Sequence, residues 1–109
     1  MQRNVLPVKT IRENWDYRDG HLYWRKKPGR KIPIGSQAGS VQTKGYHAIC
    51  YWYKLYRTHY LIWLWHEKDL PDDAQIKHIN GIKHDNRIEN LKLIPKKESL
   101  IDQGELVSK

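Results

Sequence analysis

Residues 75–99 read QIKHINGIKHDNRIENLKLIPKKES, and they decide the fold of this chain. A short apolar pattern over residues 74–77 predicts a strand that ends on His78. Asn80-Gly81 follows, and this dipeptide is typical of a tight turn. The segment therefore begins as a strand with a histidine at its end.

The second half of this segment predicts another strand and a helix. A polar loop leads to Asn90, residues 91–94 are mostly apolar, and Pro95 favours the start of a helix. The order strand, loop, strand, helix brings His78 and Asn90 to the ends of a hairpin that the helix faces. Such a unit can hold a metal ion and a phosphate between hairpin and helix.

The segment resembles the HNH endonucleases of the ββα-metal superfamily, in the small form common in phage genomes. Four groups of residues match at the family's spacing: His78, Asn80-Gly81, Asp85-Asn86-Arg87 and Asn90-Leu91. The resemblance also extends upstream and covers most of the chain. The resemblance implies a DNA-binding fold in which a divalent ion, usually Mg²⁺, holds the scissile phosphate. A neutral histidine accepts a proton from the attacking water.

The resemblance also assigns roles to individual residues. His78 takes the place of the general base, and Asn90 is expected to orient it. His59, in a segment similar to the family's His-Arg-Leu, is a candidate for orienting the site or contacting phosphate. A helix-start histidine bonded to nearby backbone is an equal alternative for His59. Arg87 is expected to tie the loop to the hairpin or to pair with a phosphate.

Two departures from the family concern the metal. Lys77 stands where the family has an aspartate ligand, and Ser99 stands where it has an asparagine ligand. We therefore expect no metal site from the residues as they are, and Mg²⁺ or Mn²⁺ as cofactor only in an active nuclease. Replacement ligands from the neighbouring Asp85, Glu98 or His84 are the less favoured alternative.

Composition limits the class of protein. The chain has 109 residues, a net charge of +8 and one cysteine, so it forms one small domain without an internal disulfide or a paired CxxC zinc site. The positive charge favours a polyanionic partner such as a nucleic acid, and the resemblance implies that this partner is DNA. Without a visible signal peptide or an apolar run that could span a membrane, we expect a cytoplasmic protein, in a bacterial host if phage-encoded.

The basic loop at residues 25–31, RKKPGRK, is a second candidate for contact with DNA. Its alternative interpretation is an ordinary solvated loop. Together with two residues of the C-terminal segment, its side chains make up the predicted nucleic-acid contacts: Arg25, Lys26, Lys27, Arg30, Lys31, Lys77 and Arg87.

The chain as a whole is predicted to be α+β, with N-terminal strands, a hairpin and a helix leading into the ββα motif. We divide its single domain, 1–109, into an arm at 1–14, a hairpin and helix region at 15–73, the ββα motif at 74–104 and a tail at 105–109. Within the second region, 46–51 and 54–57 predict the hairpin, and 58–68 predict a helix with Thr58 as N-cap.

The hairpin tip is unusual because it consists of Trp52-Tyr53. Similar proteins usually carry Asp-Gly there, and neither Trp nor Tyr favours the positive φ of a two-residue turn. One explanation is a longer turn with the rings folded onto the sheet. The other is an exposed contact surface for a base or a protein partner.

Three functions remain open from the sequence. The first is a DNA-binding protein on an HNH scaffold that has lost, or nearly lost, metal-dependent cleavage. The second is an active nicking or homing-type endonuclease with His78 as base. The third is an inhibitor that binds a host protein through the old DNA face. The sequence gives no oligomeric state and no target site.

Overall fold

The computed structural model describes residues 5–27 and 31–95, and its architecture confirms the predicted α+β class. The elements in chain order are α1 (Val8–Asn14), β1 (Trp15–Arg18), β2 (His21–Trp24), β3 (Ser40–Val41), β4 (His47–Tyr51), β5 (Lys54–Arg57), α2 (Thr58–Trp65), β6 (Gln75–His78), a short 3₁₀ turn (Ile88–Asn90) and β7 (Leu91–Ile94). The helix predicted from Pro95, and with it Glu98 and Ser99, lies outside the described residues, as does Arg30.

The strands form three small antiparallel sheets around one apolar core. β1 pairs with β2, β4 lies between β3 and β5, and β6 pairs with β7. Helix α2 contributes the fully buried Leu61 and Ile62, and Ile76 of β6 and Leu91 of β7 belong to the same core cluster. The C-terminal hairpin is thus attached to the rest of the chain through one of its two faces.

That attachment fixes which side chains of β6 face inward. Ile76 and His78 are buried, whereas the alternate residues Gln75 and Lys77 are exposed. Successive side chains of a strand point to opposite faces, so the core contact of Ile76 also turns His78 inward and Lys77 outward. Lys77 lies directly across from Lys92 of β7.

The N-terminal segment differs from the arm predicted over residues 1–14. Residues Val8–Asn14 form helix α1, and the carbonyl of Pro7 accepts the hydrogen bond from the Ile11 amide at 3.0 Å. Proline is tolerated here because the first amides of a helix have no partner within the helix. Ile11 is fully buried, so the core orders this segment.

Helix α2 also starts differently from the prediction. Arg57 occupies the N-cap position and Thr58 is the first helical residue. The Thr58 hydroxyl is used elsewhere, in a 2.6 Å hydrogen bond with Nδ1 of His47. No helix of the described residues is long and apolar enough to cross a membrane.

The tip of the β4–β5 hairpin is a two-residue turn. Tyr51 pairs with Lys54, which leaves only Trp52 and Tyr53 in the loop, with φ of 51° and 67°. Positive φ at both positions is the geometry of a type I′ turn. The rings are 74% and 97% exposed, so the longer turn with rings folded onto the sheet is wrong.

This turn predicts a gain of stability on substitution. Replacing Trp52 by Asn and Tyr53 by Gly should raise the free energy of unfolding by about 1 kcal/mol, because Asn-Gly adopts positive φ at lower cost. Urea denaturation measures the change.

A control is available in the β1–β2 hairpin, whose two-residue turn already carries Asp19-Gly20 at positive φ. Asp19→Asn there should leave the free energy of unfolding nearly unchanged. A tip variant that unfolds at lower urea than the wild type would contradict the assignment of strain to Trp52 and Tyr53.

Candidate functional site

His78 lies at the end of β6, where the C-terminal hairpin meets the core. Only 6% of the residue is exposed. Its Nε2 is 2.7 Å from Oδ1 of Asn86, which is also buried. Because an amide oxygen only accepts, Nε2 carries the proton and Nδ1 keeps its lone pair. His78 therefore has a fixed tautomer with Nδ1 as the basic atom.

Asn90, which we expect to orient His78, bonds to the loop that follows β6. Its Oδ1 accepts from the Asn80 amide at 3.1 Å, and its Nδ2 donates to Asn80 Oδ1 at 3.0 Å and to the Asp85 carbonyl at 2.9 Å. These bonds close the polar loop between β6 and the 3₁₀ turn. The hydrogen bond to the His78 ring comes from Asn86, which that loop carries, so an orienting role of Asn90 stays a prediction.

His59 packs behind His78 and stays neutral. The two ring centroids are 4.5 Å apart, and the His59 ring stacks on Tyr46 at 5.7 Å. Burial lowers the pKa of His59 to about 3, with further lowering by His78 and Arg57. At 2% exposure, His59 acts on its surroundings through packing rather than through contact with solvent.

The ring nitrogen Nδ1 of His59 does not make the hydrogen bond to nearby backbone that one of the two predicted alternatives describes. That atom is buried and has no hydrogen-bond partner among the described residues. An unsatisfied buried polar atom costs free energy, and functional sites are one place where it persists. The role of His59 as a residue that positions His78 remains a proposal, supported by the ring contact.

Two cations lie against the ring of Tyr46, which contacts the histidine pair. The Arg57 guanidinium carbon is 4.1 Å from the centre of the Tyr46 ring, and Lys83 Nζ is 5.1 Å from it. The Tyr46 ring lies 6.2 Å from that of His78. None of these three residues was predicted as part of the site. Tyr46 begins the predicted hairpin and Arg57 ends it, two residues before His59.

A second histidine group lies beside the first. The rings of His21 and His47 are 5.8 Å apart, and burial, followed by the charges of His21 and His84, lowers the pKa of His47. In the described ranges, no group of three or more His, Cys, Asp or Glu side chains is arranged to hold a metal ion.

Asp85 is the described carboxylate that could replace a missing metal ligand, but both of its oxygens already accept hydrogen bonds. Arg87 binds it in a fork, with Nε and Nη2 each 2.9 Å from one carboxylate oxygen. Asn80 donates to the same group at 2.8 Å. The hydrogen bond from Arg87 holds the pKa of Asp85 well below its usual range. The described residues therefore do not fit a divalent ion. Arg87 bonds to Asp85 within the polar loop, and its predicted role in tying the loop to the hairpin or pairing with a phosphate stays a prediction.

The described basic residues of the loop at 25–31 are all exposed, and Arg25 is also bonded to the backbone of α1. Arg25 donates to the Arg12 carbonyl at 2.8 Å and lies 3.7 Å from Asp16, so its charge is partly used. Lys26, Lys27 and Lys31 are exposed. Lys26 and Lys27 share a groove with Trp52 and Tyr53 of the hairpin tip.

The segment from β5 to the C-terminal hairpin, which holds His59, His78 and Asn86, can be compared with known families. Residues 56–100 match the HNH endonuclease family model. The predicted resemblance to that family is confirmed, and the match covers the whole polar loop with its asparagines. No curated protein matches the chain significantly.

The fold is also similar to a solved HNH structure, which concerns DNA binding and cleavage by the HNH homing endonuclease I-HmuI. The TM-score is 0.61 at 20% sequence identity. The match covers 94% of this chain and 60% of that one, so this chain spans less than two thirds of that protein. At this identity the likeness supports the α+β fold alone.

The roles of Asn86 and Asn90 should be separable by experiment. Asn86→Ala should remove the preference of His78 for the Nε2–H tautomer and cost about 1–3 kcal/mol of stability, because a buried donor loses its acceptor. Asn90→Ala should loosen the loop at similar cost and keep that tautomer. Nitrogen chemical shifts of the His78 ring measure the tautomer. An unchanged ring in Asn86→Ala would contradict the assignment.

The buried His59 predicts a loss of stability in acid. Its pKa is about 3 in the folded chain and near 6.5 when unfolded, so below pH 6.5 the unfolded chain binds more protons. Stability is therefore full above pH 6.5 and falls as the pH drops toward 3. Urea unfolding at pH 7 and pH 5 should show the loss, and His59→Leu should reduce it. Equal losses in the two proteins would refute this account.

Proposed function

We propose that this protein binds DNA through an HNH scaffold and that its metal-dependent cleavage is lost or weak. The observation that carries the proposal is the cross-strand pair of Lys77 and Lys92 on the exposed face of the C-terminal hairpin. By resemblance, the residue before the histidine is an aspartate ligand in HNH nucleases. This chain has a cation there, facing a second cation.

A like-charged pair directly across two strands lowers the stability of the hairpin. Arrival of a phosphate between the two ammonium groups removes that repulsion and releases counterions. Arg57 and Lys83 add two exposed cations near the His78 end of the hairpin. The charge distribution supports a polyanionic partner, in agreement with the net charge of +8.

The donor set argues against efficient metal-dependent chemistry. Mg²⁺ prefers hard oxygen ligands in an octahedral array. Lys77 offers none, and both oxygens of Asp85 already accept hydrogen bonds. What the chain retains is His78 with its tautomer set by Asn86, which is the proton-accepting part of an HNH site without the charge-stabilising part.

The comparisons support DNA as the partner. The family model describes endonucleases, and the similar solved structure concerns DNA binding and cleavage by the homing endonuclease it contains. The small form of HNH protein that this chain resembles supports an origin in a phage genome. We accordingly place the protein in a bacterial host cell as part of the same proposal.

The DNA-binding part of the proposal predicts a steep salt dependence. Lys77→Gln with Lys92→Gln should weaken duplex binding and lower the slope of log affinity against log salt by about 2. A double variant of equal charge, Lys9→Gln with Lys68→Gln, is the control, because both side chains are exposed on other elements. Fluorescence anisotropy over a salt series measures the slopes. Equal effects of the two double variants would contradict the assigned face.

Cleavage is tested on supercoiled plasmid with Mg²⁺ or Mn²⁺. Wild type should leave the plasmid intact, and Lys77→Asp with Ser99→Asn should restore some nicking if the scaffold is otherwise complete. Nicking by wild type that His78→Ala abolishes would instead show an active nuclease. Weak DNA affinity together with a stable protein partner would favour the inhibitor.

A further inference from the structure

Two features that are distant in sequence form one groove in the structure. Lys26 and Lys27 of the basic loop and Trp52 and Tyr53 of the hairpin tip line a cleft of about 680 Å³. Trp24 and Tyr51 also line it, and both rings pack against Trp15. The volume falls within the roughly 300–1,000 Å³ of ligand sites.

The tip itself is kept in an unfavourable conformation. Trp52 and Tyr53 both have positive φ, which bulky side chains rarely adopt. Their rings remain 74% and 97% exposed, so burial in the core does not compensate the strain. Backbone strain that core packing does not compensate indicates a function for the side chains at the strained positions.

The charge of the groove selects the kind of ligand. Lys26 and Lys27 are exposed on one side, and Glu13, 3.9 Å from Lys26, offsets one of the two charges. The remaining excess is positive and lies beside exposed aromatic rings. Rings on which bases stack, next to cations that meet the backbone, are the usual components of sites for unpaired nucleic acid.

We propose that this groove takes an unpaired nucleotide of DNA. Its base stacks on Trp52 or Tyr53, and its phosphates meet Lys26 and Lys27. A base inside an intact duplex has both faces covered by its neighbours, so the stacking requires a single strand, a bubble or an extruded base. This inference rests on the proposed function and names the DNA structure that the protein prefers.

The test compares three DNA probes of the same sequence: a single strand, a duplex with a central bubble and a fully paired duplex. Trp52→Asn with Tyr53→Gly should weaken binding of the single strand and the bubble about tenfold or more, because base stacking is lost. Binding of the paired duplex should change by less than about twofold, because the backbone contacts remain. Urea denaturation confirms that the variant is folded.

The single cysteine of the chain offers an independent readout. Cys50 is exposed and lines the same groove. A single-stranded oligonucleotide should slow the reaction of its thiol with a disulfide reagent, and the paired duplex should not. Lys27→Gln should reduce affinity for the single strand, whereas Lys68→Gln, which removes an equal charge outside the groove, should have a smaller effect.

Failures of the two proposals look different. A wild type that binds none of the probes would remove both the DNA-binding function and the groove proposal. A wild type that binds DNA, with a tip variant that binds all three probes equally well and an unprotected Cys50, would overturn the groove proposal alone. Loss on all three probes by the same factor would also overturn it, because the preference for unpaired DNA would not depend on the tip.

Discussion

The alternation of side chains along β6 is the constraint on which the candidate site depends. Ile76 must face the core, because it closes the apolar cluster that joins the C-terminal hairpin to α2. His78, two residues on, is buried with it, and Lys77 is exposed. A shift of the strand by one residue would reverse all three. Packing in the core therefore decides which faces of the hairpin His78 and Lys77 occupy.

The fold was largely predictable because its signals are local. Short apolar patterns predicted the strands of the β4–β5 and β6–β7 hairpins to within a residue. The polar residues at 80–90 indicated the family. Helix α1 was missed because Pro7 suggests a break, whereas at a helix start its missing amide costs nothing. Ile11, which orders that helix, is buried by distant residues, and a local pattern does not reveal such contacts.

The residue types of the candidate site were predictable from the sequence, but the contacts that each of these residues makes were less so. The family's spacing identified His78. Asn86 and Asn90 are both amides in the same short segment, and only the folded structure shows which of them reaches the ring. Tyr46, Arg57 and Lys83 come from separate elements, so their meeting depends on tertiary packing. The exposed face of Lys77 depends on strand register, which the sequence left open.

The strained tip and the lysine pair both lower the stability of the free chain. Each places groups together at a cost to the free chain: positive φ at Trp52 and Tyr53, and like charges at Lys77 and Lys92. A DNA ligand would lower the second cost by neutralising charge and would offset the first by covering the exposed rings. On the proposed functions, both costs lie on surfaces where binding of DNA, rather than folding, would supply the compensation.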